Sequence, residues 1–454
     1  MIDKKITIKE GIKFHKIKTN KFKTNLFAIF LNTKLTRENV TKDALLAAVL
    51  RRGTKKLESQ ELISKELENM YGAGFDCGID KSGNYHTFKF YLEVINDNFL
   101  PEKENLSNKA LELLLSIVFN PYIENENFKE EYVEQEKSNL KQIIEGKIDN
   151  KGNYALERCI EEMYKDKPYG LYKYGYIEDL EKITAKELYA YYLKLISECK
   201  IDIFASGELN DETIDAVKNN ENIQKLAERK FEVEVDDKKE EIKEIKNITD
   251  KMDVTQGKLV LGLDVMSKSE NTNYTAMVYN TILGVGANSK LFQNVREKAG
   301  LAYTCGSNYV KRKNLILIRA GIEIDNYEKA LEIIKEQLED IKNGKFTDEE
   351  LENAKNLIFA TINNIEEEQD TEISYYFGQE ISNLNTSIEE YKEKIQKITK
   401  ENVIEVANNI QINTVYFLTR HWKEKINANN WKLKNKRKDI QRKARKWLNS
   451  YDSS

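Results

Sequence analysis

GVGANSKLFQNVREKAGLAY, residues 284–303, is the most informative stretch of the chain. Gly284 and Gly286 permit a sharp turn or the close approach of another backbone. A short helix through Phe292, carrying Arg296, is predicted. Gly300-Leu301-Ala302-Tyr303 then leads into a strand. A guanidinium and a phenol are both hydrogen-bond donors, and donors aimed at a developing oxyanion lower the barrier to tetrahedral addition. By spacing alone, however, Arg296 reads as a surface ion-pair residue and Tyr303 as a packed aromatic.

On either side of this stretch the chain is one pattern written twice. LFAIFL (26–31) predicts a strand, ALLAAVL (44–50) a helix, and Leu62, Leu67 and Met70 a second, amphipathic one. A glycine-marked turn, YGAGFDCG, precedes the strand HTFKFYLEVI (86–95). Helices follow at 108–119, 127–147 and 155–163, and another is opened by the capping box Thr184/Glu187; the half closes on the strand KIDIFAS (200–206). The second half repeats the order. Strand KLVLGLDV (258–265) and helix YTAMVYNTILG (274–284) lead to strands near 302–309 and 314–324. Helices then come at 326–342, 347–366 (capping box Thr347/Glu350), 369–384 and 400–409, before the strand TVYFL (414–418). The opening strands lie about 230 residues apart, too far for a solenoid repeat and suited to a duplicated domain. The expectation is α+β: an N-terminal domain over 1–226, a Lys/Glu-dense linker over 227–252 with a charged β-hairpin arm as its alternative, and a C-terminal domain over 253–419.

Residues 420–454 differ in kind. Between Arg420 and Lys446 stand twelve Lys or Arg against two acids, and all three tryptophans, Trp422, Trp431 and Trp447, fall here. Such a tail could attract phosphates; a solvated basic helix is the preferred reading, and nucleic acid is not an expected partner. With only three prolines, long helices suit the rest better than a many-stranded sandwich. No apolar run is long enough for a membrane span and the N-terminus lacks a signal core, so a cytoplasmic protein is expected. Cys77, Cys159, Cys199 and Cys305 form no CxxC pair and read as packed thiols. The three histidines, His15, His86 and His421, never fall within one helical turn of each other, so no motif built on a local histidine pair exists.

The 284–303 stretch closely resembles the C-terminal domain of insulinase-type (M16) peptidases, whose motif reads about S-x-L-F-x-x-[IVL]-R-E-x-x-G-L-A-Y, with Arg and Tyr spaced as Arg296 and Tyr303 are. The stretch 154–192 resembles the same family. The resemblance covers about residues 5–419 and implies two homologous M16-like (LuxS/MPP-like metallohydrolase) domains, each an antiparallel-rich sheet with packed helices. It also implies that Arg296 and Tyr303 hold peptide, with Gly284 and Gly286 admitting its backbone.

The family's zinc motif, HxxEH followed by a Gly-Thr turn, matches ALLAAVLRRGT, which puts Ala44, Ala47 and Ala48 where two His ligands and the catalytic Glu belong. Matching Glu136 to the earlier of the family's two glutamates on a later helix puts Ile143 at the distal ligand position, with Glu145 the nearest acid. One carboxylate cannot build a two-histidine, one-carboxylate zinc site. The pattern resembles the YfmF-type subgroup, which lacks the zinc motif. The resemblance therefore implies a chain with no metal of its own, a partner subunit bearing HxxEH and zinc, and a peptide substrate. The alternative it implies is a non-enzymatic scaffold or peptide carrier, for example one linked to modification of elongation factor P.

Overall fold

A half-buried strand should alternate apolar and polar residues, yet LFAIFL and KLVLGLDV do not. Uninterrupted apolar strands need cover on both faces, and the architecture supplies it. The computed structural model describes residues 2–102, 104–231, 239–266 and 271–421; the tail beyond His421, with its tryptophans, lies outside the described residues.

The first sheet contains β1 (Ile2–Lys9), β2 (Ile12–Lys18), β3 (Thr24–Lys34), β4 (Gly74–Ser82) and β5 (Tyr85–Ile95), joined after a short hairpin of β6 (Ile123–Glu124) and β7 (Asn127–Phe128) by β8 (Lys200–Gly207). Its order is β1-β2-β8-β3-β5-β4, antiparallel throughout except for β2 beside β8. The second sheet holds β9 (Lys246–Met252), β10 (Gly257–Val265), β11 (Ala302–Val310), β12 (Leu315–Ile322) and β13 (Ile410–Arg420). Read as β9-β13-β10-β12-β11, it repeats β2-β8-β3-β5-β4 strand for strand, including the one parallel pair, β9 with β13. The duplication inferred from the sequence is thus a duplicated topology, with β1 as an added edge.

β9 lies inside the stretch 227–252 expected to be linker, so the second sheet begins at Lys246 and not at residue 253. Its apolar residues are too few to signal a strand; parallel pairing along Thr414–Arg420 holds it. Arg229 likewise belongs to the first half, its backbone N–H donating to Glu10 O and its side chain to Ala227 O and Cys199 O.

Each sheet packs its own helices on one face, and a helix of the other half covers the opposite face. Helix Gln369–Glu380 brings Ile373, Tyr376 and Phe377, with Ile381 just beyond, onto Leu26, Ala28, Phe30 and Phe204 of the first sheet, with Phe377 stacked on Phe30 at 3.9 Å. In exchange, helix Lys151–Met163 lays Ala155 and Cys159 on Val260, Tyr416 and Leu418, and Ile160 and Met163 beside Leu315 and Leu317. This exchange explains the apolar strands: both faces are core. No helix among the described residues is long and apolar enough to cross a membrane.

The exchanged helix also carries a charge. Glu380 accepts from Lys13 at 2.5 Å and Lys200 at 3.0 Å and pairs with Lys5, all three from the first half. Lys200 also pairs with Asp202, whose other oxygen meets His15 Nε2 at 3.1 Å. Burial opposes ionisation of Glu380, but the hydrogen bonds of Lys13 and Lys5 and the charge of Lys200 prevail and hold its carboxyl below the usual carboxylate range. A carboxylate depressed on folding adds stability above its unfolded pKa, and that contribution disappears as pH falls toward the folded value. Glu380→Ala, which leaves three ammonium groups facing each other, is expected to cost about 3 kcal/mol in urea unfolding at neutral pH. The gap between variant and parent should narrow below about pH 4.5; a gap that is constant with pH would show that packing, not charge, is what the substitution removes.

Candidate functional site

The helix Val40–Leu50 is apolar on nearly every side and sits beneath the first sheet, with Leu45, Leu46 and Leu50 fully buried. Ala44 and Ala47 are buried and Ala48 half-buried. A methyl group offers no lone pair, and a zinc site needs four donors. Among the described residues no group of three or more His, Cys, Asp or Glu could hold a metal ion, so the side chains present here do not fit zinc. The neighbouring carboxylate, Asp43, is already engaged. Fully buried, it meets His86 Nδ1 at 2.9 Å and accepts from the Tyr191 hydroxyl at 2.5 Å. Burial, then the Asp43 charge, raises the pKa of Tyr191 and keeps it a donor.

Around the alanines the structure brings Glu136 together with Arg52 and Tyr132, two residues that the motif match does not single out. Arg52 Nη1 donates to Glu136 at 3.1 Å, and its guanidinium lies 5.0 Å from the centre of the Tyr132 ring. Glu136 sits on the inward face of helix Glu130–Glu145 with Val133 and Leu140. Ile143 and Glu145, the distal position and its nearest acid by motif register, are exposed. Helical phase turns 145 away from the face of 133, 136 and 140, whereas 143, two turns beyond 136 on the same side, is exposed in the last turn of the helix. The acid turned toward the alanine helix is therefore Glu136, and it is paired with an arginine. Cys77, on edge strand β4, donates to Ala47 O at 3.8 Å, and burial pushes its thiol up to about 11, far from a reactive thiolate. The Gly53-Thr54 turn is fixed by Thr54 N–H donating to Leu57 O at 2.7 Å and Leu57 N–H to Thr54 Oγ1 at 3.0 Å.

The second candidate group lies at the other sheet. Residues Phe292–Lys298 form a π-helix, a rare geometry often found at functional sites, where the sequence predicts an ordinary short helix. Ala299 N–H donates to Asn294 O, five residues back, at 3.2 Å. Arg296 projects from it, 4.5 Å from the Phe292 ring centre, with Glu297 at 3.5 Å. Tyr303 follows at the start of β11, the edge strand of its sheet, where the register slips between Ala302 and Thr304. Bulges of this kind re-aim a side chain, and Tyr303 is 59 % exposed, unlike the packed aromatic that spacing alone suggests. Its hydroxyl donates to Glu323, and that hydrogen bond, followed by the Glu323 charge, raises its pKa. The phenol therefore stays protonated, as a donor must. Among the described residues no hydrogen bond joins Arg296 to Tyr303 or either to the alanine helix. β4 beside the alanine helix and β11 bearing Tyr303 are equivalent edges of the two sheets.

Gly284 and Gly286 serve packing and turning. A Cβ on Gly284 would stand 2.5 Å from the Ser307 backbone N, so the end of helix Thr272–Gly284 rests directly on β11. Gly286, at φ +80°, makes the left-handed turn past the helix end.

The family description "Peptidase M16 inactive domain" matches residues 182–358. The chain is 35% identical over 412 residues, 90% of its own length and 96% of the relative's, to a Bacillus subtilis (strain 168) protein named "Probable inactive metalloprotease YmfF", so the subgroup is properly the YmfF type. A crystal structure of a conserved protein from Enterococcus faecalis V583 superposes with a TM-score of 0.85 at 26% identity, covering 93% of this chain and 99% of that one. A second, titled as a peptidase M16 inactive domain from Pseudomonas fluorescens, shares the fold with a TM-score of 0.74 at 19% identity, over 93% of this chain and 99% of its own. The close approach at Gly284 has a direct consequence. Gly284→Ala should destabilise the chain by about 2 kcal/mol through overpacking, read in thermal or urea unfolding; an unchanged midpoint would mean that helix and β11 separate freely there.

Proposed function

The chain belongs to the M16 peptidase family, in its inactive branch, and we propose that it is the substrate-holding subunit of a two-component peptidase. In this reading a partner subunit bearing HxxEH brings the zinc and the general base, and this chain brings Arg296 and Tyr303. The observation that carries it is Tyr303: a protonated, exposed donor at the bulge of an edge strand, with Arg296 seven residues before it. A peptide substrate adds as a further strand to such an edge, taking its affinity from main-chain hydrogen bonds and little from its sequence.

When bound in the partner, zinc supplies an activated water for attack on the scissile carbonyl. The Tyr303 hydroxyl turns from Glu323 to donate to the carbonyl oxygen as charge gathers on it, and the Arg296 guanidinium fixes the peptide beside it. This chain needs no metal for that task, which agrees with methyl groups at Ala44, Ala47 and Ala48 and with Arg52 neutralising Glu136. Four free cysteines suit a reducing, cytoplasmic location. A scaffold or peptide-carrier role accounts equally for the lost ligands but leaves Arg296 and Tyr303 without work.

Tyr303→Phe removes the donor and keeps the ring. Mixed with an HxxEH-bearing partner, the variant is expected to form the same complex by size-exclusion chromatography and to hydrolyse an unstructured peptide about 100-fold more slowly. Full turnover by the variant complex would take Tyr303 out of the chemistry and favour the scaffold.

A further inference from the structure

The helix Tyr327–Lys342 runs antiparallel to β13 beneath a continuous groove. Phe417 stacks on Tyr327 at 4.3 Å and Arg420 pairs with Asp325 at 3.5 Å at one end; Ile410, Ile412 and Leu338 line a common pocket at the other. Near the first end the groove has a volume of about 420 Å³ and is walled by Glu328, Glu332, Glu336 and Glu339 with Leu331 and Lys335. Glu332 and Glu336 are exposed and have no cationic partner among the described residues. Through Lys335 and Glu339, common to both, it continues into an apolar pocket of about 510 Å³ lined by Ile242, Ile245, Leu263, Leu338 and Ile412 under a mixed rim of Lys243, Glu244 and Lys342.

Tyr279 forms part of that pocket's wall. It is 1% exposed. A pocket walled by aliphatic side chains with a tyrosine among them suits an occupant with an apolar body and one polar hydrogen. An indole is such a group.

The chain itself carries three indoles, all beyond the point where β13 ends. From Arg420 to Lys446 the sequence holds twelve Lys or Arg against two acids, and Trp422, Trp431 and Trp447 are the only tryptophans. The chain leaves β13 at the acidic end of the groove. The run back to Ile410 is ten residues of strand, about 33 Å; the eleven residues to Trp431 span about 36 Å extended, and the 27 to Trp447 about 40 Å as helix. We propose that residues 422–454 dock in cis along this groove, their lysines and arginines on Glu328, Glu332 and Glu336, and one tryptophan in the pocket beside Tyr279. The basic tail and the acidic helix then neutralise each other, and the tail is withdrawn from phosphate-bearing partners.

Because every tryptophan lies in the tail, intrinsic tryptophan emission of the full chain reports on the tail alone. Emission at shorter wavelength than a solvated indole, with acrylamide quenching several-fold weaker, is expected for the parent at all protein concentrations. The double substitution Glu332→Lys with Glu336→Lys, at exposed positions and checked by unchanged circular dichroism, should move emission to that of solvated indole, as should high salt. The proposal is overturned by solvated emission in the parent, by protection indifferent to both charge reversal and salt, or by protection that dilution abolishes, which would place the tail on a second copy. Protection that appears only on adding RNA or anionic vesicles would equally overturn it.

Discussion

Two sheets, each with a second apolar face that its own helices do not cover, are the constraint on which the structure depends. β3 and β8 in one half and β10 and β13 in the other are buried on both faces. Uncovered, each would present a patch large enough to drive association. The halves resolve this by lending each other one helix, Lys151–Met163 in one direction and Gln369–Glu380 in the other. Because the exchange is reciprocal, neither half is a separable module, and the two equivalent sheet edges, β4 and β11, are held in a fixed relation. Glu380 adds register to this contact: three lysines from strands β1, β2 and β8 meet one carboxylate from the other half.

That frame preserves a peptidase architecture whose chemical centre has changed. The helix that would carry metal ligands is retained as a core helix, and alanine suits this: it packs closely in a helix at no side-chain entropy cost. The region around it has become an ordinary interior, with Asp43 satisfied by His86 and Tyr191 and with Glu136 satisfied by Arg52. At the equivalent edge of the other sheet stand the π-helix and the bulge at Tyr303, both departures from regular geometry that stability alone does not require. An edge without metal ligands and an equivalent edge with an exposed donor suit the proposed division of labour between two subunits.

Much of this is legible in the sequence. Periodicity and capping boxes place the long helices, and Thr184 and Thr347 cap theirs through Glu187 and Glu350 as their spacing suggests. The duplicated order and the missing histidine pair can be read by eye. Three things cannot. β9 is held by strand pairing and has almost no apolar signature of its own. The inward acid of helix Glu130–Glu145 is Glu136, and a motif register that looks seven residues on, two turns along the same side, reaches Ile143 in the exposed last turn instead. The π-helix at Arg296 differs from an α-helix by one residue in its hydrogen-bond step, a difference that the seven residues Phe292–Lys298 do not signal in their sequence. The helix exchange is only half legible: non-alternating strands say that a second cover exists, not which helix provides it.

We propose that this chain completes a partner's active site and has none alone. This is tested most directly by measuring bound zinc and hydrolysis of an unstructured peptide for the purified chain, for an HxxEH-bearing partner and for their one-to-one mixture. No zinc and no activity are expected in this chain, zinc in the partner, and turnover that rises sharply only in the mixture. Hydrolysis by the chain alone, or a mixture no more active than the partner, would contradict it.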